Sequence, residues 1–175
     1  MGSRPASFIL TTPGPLRLYS TAELINMTPP TWLIDGVMPT GGLVGLYGPP
    51  GVGKSFVAID MAMSVATGRD WQGHKVEKGY VVYISAEGGT GIGKRVKAWL
   101  KHHGVDPRIP TIAWLVESIP VYTDSEQMAL LLNRIVEELK VEPSLIIIDT
   151  LARCFDGNEN EQEDMGRFVA GVDHL

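Results

Sequence analysis

The stretch that most constrains this chain is Gly48-Pro49-Pro50-Gly51-Val52-Gly53-Lys54-Ser55. It matches G-x-x-x-x-G-K-[ST], the pattern of phosphate-binding loops, at every fixed position. The residues before it, Leu43 to Tyr47, predict a short buried strand, and the apolar residues after it, Phe56 to Ala66, predict a buried helix. A chance match in a glycine-rich turn occurs in roughly one chain of this length in a hundred, and the flanking elements make it rarer still.

The backbone of this loop is suited to bind phosphate oxygens. Gly51 and Gly53 let the chain curl so that successive N–H groups point inward. Because Pro49 and Pro50 have no N–H to offer, we expect the donors from Gly51 onward. A helix that begins near Gly53 adds the positive end of its dipole to the same place.

Two side chains at the end of the loop carry the chemistry expected with ATP and Mg²⁺. Lys54 is expected to reach the β- and γ-phosphates, and Ser55 is expected to bind Mg²⁺. The sequence therefore predicts that the nucleotide binds at residues 48 to 56. The residues expected to bind it are Gly48, Gly51, Val52, Gly53, Lys54, Ser55 and Phe56.

Composition excludes several classes of protein. The 175 residues, with 44% hydrophobic and 20% charged side chains, are typical of one soluble globular domain. No apolar run reaches the length of a membrane span, and the N-terminus lacks the features of a signal peptide, so we expect no membrane partner. A net charge of −5 argues against nucleic-acid binding over the whole surface, but not against a local basic loop. Cys154 is the only cysteine, which excludes a disulfide framework and indicates the cytoplasm.

The order of predicted elements indicates an α/β fold. Residues 1–30 predict an extended leader with a short helix at 20–25, and residues 31–175 predict a single core. After the loop helix, the chain predicts strands at 80–84, 111–116 and 145–148, alternating with helices at 91–103, 123–139 and 165–172. Such alternation of apolar strands with helices predicts a mostly parallel sheet with helices on both faces. Ligands of these sheets bind at the carboxyl ends of the strands.

Acidic residues follow two of the predicted strands. Asp149 ends the strand at 145–148 and fits the acidic residue that holds Mg²⁺ opposite Ser55, although an aspartate there can also cap a turn. Thr150 stands where many such ATPases carry a catalytic glutamate, and a threonine cannot act as a base. In the RecA-type branch the glutamate instead follows the strand after the loop helix, which is the position of Glu87.

Five segments together resemble the RepA-type ATPases, RecA-fold relatives of the hexameric replicative helicases found on plasmids and phages. They are Trp32-Leu33-Ile34-Asp35-Gly36, the phosphate-binding loop, Ala66-Thr67-Gly68, Ser85-Ala86-Glu87-Gly88 and Ile148-Asp149-Thr150-Leu151-Ala152-Arg153. The resemblance covers about residues 30 to 175. The loop alone indicates only the binding of a nucleoside triphosphate. The position of Glu87 restricts the resemblance to the RecA-like branch of these ATPases.

This resemblance implies a division of roles among four residues. Lys54 would stabilise charge on the transferring phosphoryl group, and Ser55 and Asp149 would hold Mg²⁺. Glu87 would polarise the attacking water as a general base. The resemblance also implies a homo-oligomer, a hexameric ring or a filament, with ATP or ADP at the boundary between subunits. Single-stranded DNA would be contacted through segments outside these residues.

The sequence departs from the RecA-type pattern at its end. In those folds, the strand after the aspartate strand lies between it and the strand of the phosphate loop. No strand is predicted after residue 153, so the expected sheet has a gap between its two functional strands. We therefore expect a RecA-like core that is incomplete at its C-terminus, with the polar sensor, the arginine finger and the DNA-contacting loops outside the sequence.

Three functions are open at this point. The first is a Mg²⁺-dependent ATPase motor, a DNA helicase of the RepA type. The second is a RecA-like recombinase or mediator that uses ATP to stabilise a filament. The third is a regulatory ATP-binding switch that does not act on DNA.

Overall fold

The computed structural model describes residues 18–86, 89–116, 125–151 and 166. Within these residues the chain forms four helices and five strands. In chain order they are α1 (Thr21–Ile25), β1 (Trp32–Ile34), β2 (Met38–Pro39), α2 (Lys54–Thr67), β3 (Val81–Ser85), α3 (Gly89–His103), β4 (Ile112–Leu115), α4 (Ser125–Leu139) and β5 (Leu145–Asp149). Helices and strands alternate from α2 onward, which confirms the predicted α/β fold.

The central sheet is parallel and has the strand order β4-β3-β5. Val81 on β3 lies opposite Ile112 on β4 and Leu145 on β5. Every residue of β3 is buried, and β3 has a neighbouring strand on each side. The parallel arrangement brings the carboxyl ends of the three strands together, and Ser85 lies opposite Asp149 at that end.

A single apolar cluster joins α2 to the sheet, to α3 and to the β1–β2 hairpin. Its buried members are Leu33, Ile34, Met38, Ile59, Ala62, Met63, Val65, Ala66, Val81, Tyr83, Ile92 and Trp99. Burial of one large aliphatic or aromatic side chain contributes about 1.5–3 kcal/mol. The cluster therefore holds α2 in a defined place beside β3.

The β1–β2 hairpin was indicated by the sequence only as an apolar segment followed by a turn at Asp35-Gly36. The two strands pair antiparallel, and the hairpin is attached to the connection that follows α2. The Asp35 N–H donates to the Lys75 carbonyl, and the Glu77 N–H donates to the Leu33 carbonyl, both at 2.9 Å. These bonds make the hairpin part of the same core as α2.

The prediction of a strand at Leu43–Tyr47 is wrong. These residues form no strand, and Leu46 is 50% and Tyr47 94% exposed. A strand needs a neighbour that pairs with its N–H and C=O groups. No strand among the described residues pairs with this segment, and β5 is an edge strand of the described sheet. An apolar run without a pairing partner is not enough to make a strand.

The short helix near the N-terminus is confirmed. Ser20 is the N-cap of α1, and its hydroxyl oxygen accepts a hydrogen bond from the Glu23 N–H at 3.3 Å. The Ser20 N–H donates to the Glu23 carboxylate at 2.8 Å, which completes a capping box. Hydrogen bonds from Ser20 lower the pKa of Glu23 from its ordinary value.

Several predictions concern residues outside the described part of the chain. They include the leader at 1–17, Glu87, Cys154 and, apart from residue 166, the helix at 165–172. Among the helices that are described, none combines the length and the apolar character needed to cross a bilayer.

Candidate nucleotide-binding site

The phosphate-binding loop passes into α2 at Gly53. Gly53 is the N-cap, with φ of 96°, and no side chain caps this end of the helix. The N–H groups of Phe56 and Val57 donate to the Gly53 carbonyl at 2.9 and 3.2 Å. Those of Lys54 and Ser55 lie earlier in the first turn, where a helix has no acceptor of its own. The start of α2 therefore offers N–H donors and the positive end of a dipole to an anion.

Glycine suits positions 51 and 53 because of the backbone conformation there, not because a side chain would lack room. Their φ angles of 81° and 96° lie in the left-handed region that side chains disfavour. A Cβ added at either glycine would meet nothing within 4 Å. Substitution at these positions would therefore strain the loop without crowding a neighbour.

Lys54 turns its side chain back over the loop. Its Nζ donates to the carbonyl of Gly48 at 2.7 Å and to the carbonyl of Pro49 at 3.0 Å. The side chain thus bridges the end of the loop to its beginning. It brings a positive charge to the same loop that leads into the start of α2.

Ser55 and Asp149 lie together although 94 positions separate them in the chain. The Ser55 hydroxyl donates to Asp149 Oδ1 at 3.0 Å, and the pair is partly buried. α2 supplies the serine at its first turn, and β5 supplies the aspartate at its carboxyl end. The fold therefore joins the phosphate-binding loop to the acidic end of the sheet.

Tyr83 is a third member of this group that the sequence analysis missed. Its hydroxyl donates to Asp149 Oδ2 at 2.7 Å, and its side chain is fully buried on β3. Burial and the adjacent Asp149 carboxylate raise the pKa of Tyr83 far above its usual value, so the hydroxyl remains a proton donor at neutral pH. The signal in the sequence was a tyrosine within an otherwise apolar strand, but only the strand register shows which residue it reaches.

The oxygen atoms of this group fit a magnesium ion. Mg²⁺ prefers hard oxygen ligands and is usually bound through one or two protein oxygens, substrate phosphates and water. Ser55 Oγ and Asp149 Oδ1 are such oxygens. No cluster of three or more histidine, cysteine, aspartate or glutamate side chains that could hold a metal occurs among the described residues. The two oxygens fit a metal whose other ligands come from nucleotide phosphates and water.

The structure brings some of the predicted site residues together and leaves others untested. Lys54, Ser55 and Asp149 lie around the start of α2. Glu87 is outside the described residues, and its role stays a prediction. The described chain reaches Ala86, the residue before Glu87, whose N–H donates to the Asp149 carbonyl at 2.9 Å.

An open groove lies beside the loop, between α2 and α3. Phe56 follows Ser55 directly and is 60% exposed. The guanidinium of Arg95 on α3 lies over the Phe56 ring, 4.9 Å from its centroid. The groove, of about 520 Å³, runs from this pair along α2 and α3 toward Trp71. The sequence analysis named Phe56 but not Arg95, because the pairing depends on how the two helices pack.

Asp60 ties three parts of the chain together at this groove. The indole N–H of Trp99 donates to Asp60 Oδ1 at 2.7 Å, and that of Trp71 donates to Asp60 Oδ2 at 2.9 Å. The Gln72 amide also donates to Oδ2, at 3.3 Å. Asp60 therefore connects α2 to α3 and to the segment that follows α2.

Comparisons with known proteins also indicate an ATPase fold. The family model described as an AAA domain (AAA_25) matches residues 17–175, which is most of the chain. The matched region includes the phosphate-binding loop, Tyr83 and Asp149.

A curated relative extends the comparison. The chain is 39% identical over 62 residues to the DNA repair and recombination protein RadB of Methanobrevibacter smithii. That match covers 35% of this chain and 23% of RadB. From the family match, the phosphate-binding loop and the parallel sheet, we conclude that the chain belongs to the AAA domain family of RecA-like P-loop ATPases.

Proposed function

We propose that this chain binds ATP together with Mg²⁺ and hydrolyses it. The observation that carries the proposal is the 3.0 Å contact between Ser55 Oγ and Asp149 Oδ1. A phosphate-binding loop matched by accident would have no reason to place its serine against the acid that ends a distant strand. The contact is what a shared magnesium site requires.

In this proposal each residue contributes by position and charge. Lys54 stabilises negative charge on the transferring phosphoryl group, and Ser55 and Asp149 hold the metal. Mg²⁺, when bound, supplies additional neutralisation of the phosphate oxygens. Glu87, by resemblance to RecA-type ATPases, accepts a proton from the attacking water.

We also propose that Phe56 and Arg95 form a platform for the base of the nucleotide. The support is the exposed Phe56 ring, the guanidinium 4.9 Å from its centroid and the position directly after Ser55. Aromatic rings and guanidinium planes both stack on flat π systems. Because the Arg95 guanidinium already lies over the Phe56 ring, stacking of a base on this pair would need little ordering.

The process that we favour for this ATPase is DNA unwinding by a motor of the RepA type. The support is the set of segments that resemble those ATPases, above all the phosphate-binding loop and the position of Glu87. In this proposal the protein forms a homo-oligomeric ring and moves on single-stranded DNA.

A second candidate is a role in DNA recombination. The specific observation that favours it is the 39% identity to RadB, a protein named for DNA repair and recombination. The match supports a role in recombination. Because it covers only 23% of RadB, the activity of the whole protein has to be measured.

Two assays on the full-length protein that contains these residues separate the candidates. ATP hydrolysis is measured with and without single-stranded DNA, with light scattering to record mass. Unwinding of a forked duplex is measured in parallel. Stimulation by DNA together with unwinding supports the motor, and stimulation without unwinding supports the recombination protein. Hydrolysis that does not respond to DNA contradicts both and favours a regulatory switch.

A further inference from the structure

Both oxygens of the Asp149 carboxylate are engaged by side chains from two different elements. Oδ1 accepts from Ser55 at the start of α2, at 3.0 Å. Oδ2 accepts from Tyr83 on β3, at 2.7 Å. A carboxylate held at both oxygens has a defined orientation, and here one oxygen faces the phosphate-binding loop while the other faces the interior of the sheet.

Tyr83 is well suited to set that orientation. Its side chain has no measurable exposure, and β3 is the central strand of the described sheet. The Tyr83 ring packs against Trp114 on β4 with 5.0 Å between centroids. Tyr83 lies opposite Ile147, two residues before Asp149, so the register of β3 and β5 determines where its hydroxyl lies. The phenol is therefore a rigid donor, whereas Ser55 lies in the first turn of α2 and is less buried.

We propose that Tyr83 is a positioning residue for the magnesium site, because its hydroxyl holds Asp149 Oδ2 and thereby directs Oδ1 toward Ser55 and the metal. The inference rests on the proposed function, since it concerns the same metal. Without the hydroxyl, the carboxylate could rotate about its Cβ–Cγ bond, and for part of the time neither oxygen would face Ser55. Residues that orient a metal ligand typically change metal affinity by about 10–100-fold when they are removed.

The test compares the full chain with Tyr83→Phe, which removes only the hydroxyl. Binding of a fluorescent ADP analogue is followed while Mg²⁺ is titrated, and again in EDTA. We expect the Mg²⁺ concentration for half-saturation to rise about tenfold in Tyr83→Phe. Nucleotide affinity in EDTA should not change. Tyr80→Phe is the matched control, because Tyr80 lies just before β3 at the end remote from Asp149, and it should titrate like the wild type.

A double-mutant cycle links the effect to Asp149. In an Asp149→Asn background, Tyr83→Phe should no longer change the half-saturation concentration, because the charged carboxylate that it orients is gone. Replacement of Tyr83 by 4-aminophenylalanine, which keeps a donor at the same position, should restore the wild-type response. This second variant also keeps the test decisive if Tyr83→Phe lowers the melting temperature.

The outcomes separate this inference from the function on which it rests. A half-saturation concentration that is unchanged in Tyr83→Phe, in a chain whose wild type responds to Mg²⁺, would overturn the positioning role alone. A lowered melting temperature with the same Mg²⁺ response would assign the hydroxyl to stability and overturn it as well. Failure of the wild type to bind the nucleotide at all would overturn the proposed function and this inference with it.

Discussion

Glu87 is the residue on which hydrolysis, as distinct from nucleotide binding, depends in the proposed mechanism. We predict that Glu87→Gln keeps ATP affinity and loses turnover. The amide has nearly the shape of the carboxylate but cannot accept a proton from water, and loss of a general base costs roughly 10²–10⁴ in rate. Phosphate release at saturating ATP measures turnover, and a fluorescent ATP analogue measures binding.

Glu77→Gln is the control for this change. Glu77 is exposed in the segment after α2, and its hydrogen bond to Leu33 uses the backbone N–H rather than the carboxylate. We expect wild-type turnover from it. Wild-type turnover in Glu87→Gln as well would show that another acid is the base.

Asp60 shows at the level of elements how one polar residue can fix the packing of several. We predict that Asp60→Ala lowers the free energy of unfolding by about 1–3 kcal/mol, because the buried indole N–H of Trp99 would lose its acceptor. Urea unfolding followed by circular dichroism measures this quantity without relying on tryptophan emission.

The matched control is Asp70→Ala. Asp70 pairs with Lys75 at 2.7 Å, but the Lys75 side chain is 82% exposed, and exposed pairs of this kind contribute little to stability. Equal losses of stability from Asp60→Ala and Asp70→Ala would contradict the account of Asp60 as the residue that joins α2 to α3.

The elements differ in how well the sequence predicts them, because some are specified by local patterns and others depend on a pairing partner elsewhere in the chain. α2, β3 and β5 follow from local apolar patterns and from clear end signals such as Gly68 after α2. Leu43–Tyr47 has an equally apolar pattern, yet it forms no strand, because pairing depends on a neighbour and not on composition.

The residues of the candidate site differ in the same way: some belong to a local motif, and others depend on contacts between distant elements. The phosphate-binding loop and Asp149 are visible in the sequence because each belongs to a local motif. The bond from Tyr83 to Asp149 and the contact of Arg95 with Phe56 join elements that are distant in the chain. Such contacts depend on strand register and helix packing, which no local pattern specifies.

At the scale of the whole molecule, one core serves both stability and the site. The apolar cluster that contains Met63, Tyr83 and Trp99 holds α2 against β3, and the same arrangement brings Ser55 to Asp149. The proposed nucleotide site is therefore a consequence of the packing between α2 and the sheet. Disturbing that packing should weaken nucleotide binding even when no residue of the loop is changed.

The central claim is that the loop at residues 48–55 binds the phosphates of ATP, and affinity for a fluorescent ATP analogue in Mg²⁺ tests it most directly. Lys54→Ala removes the positive charge that lies over the loop at Gly48 and Pro49. Charge-assisted hydrogen bonds contribute about 1.5–3 kcal/mol, so we predict a Kd raised by about 10- to 150-fold. Lys101→Ala, which removes an exposed lysine from the last turn of α3, should bind like the wild type. Equal affinity in Lys54→Ala and the wild type would contradict the assignment of the site.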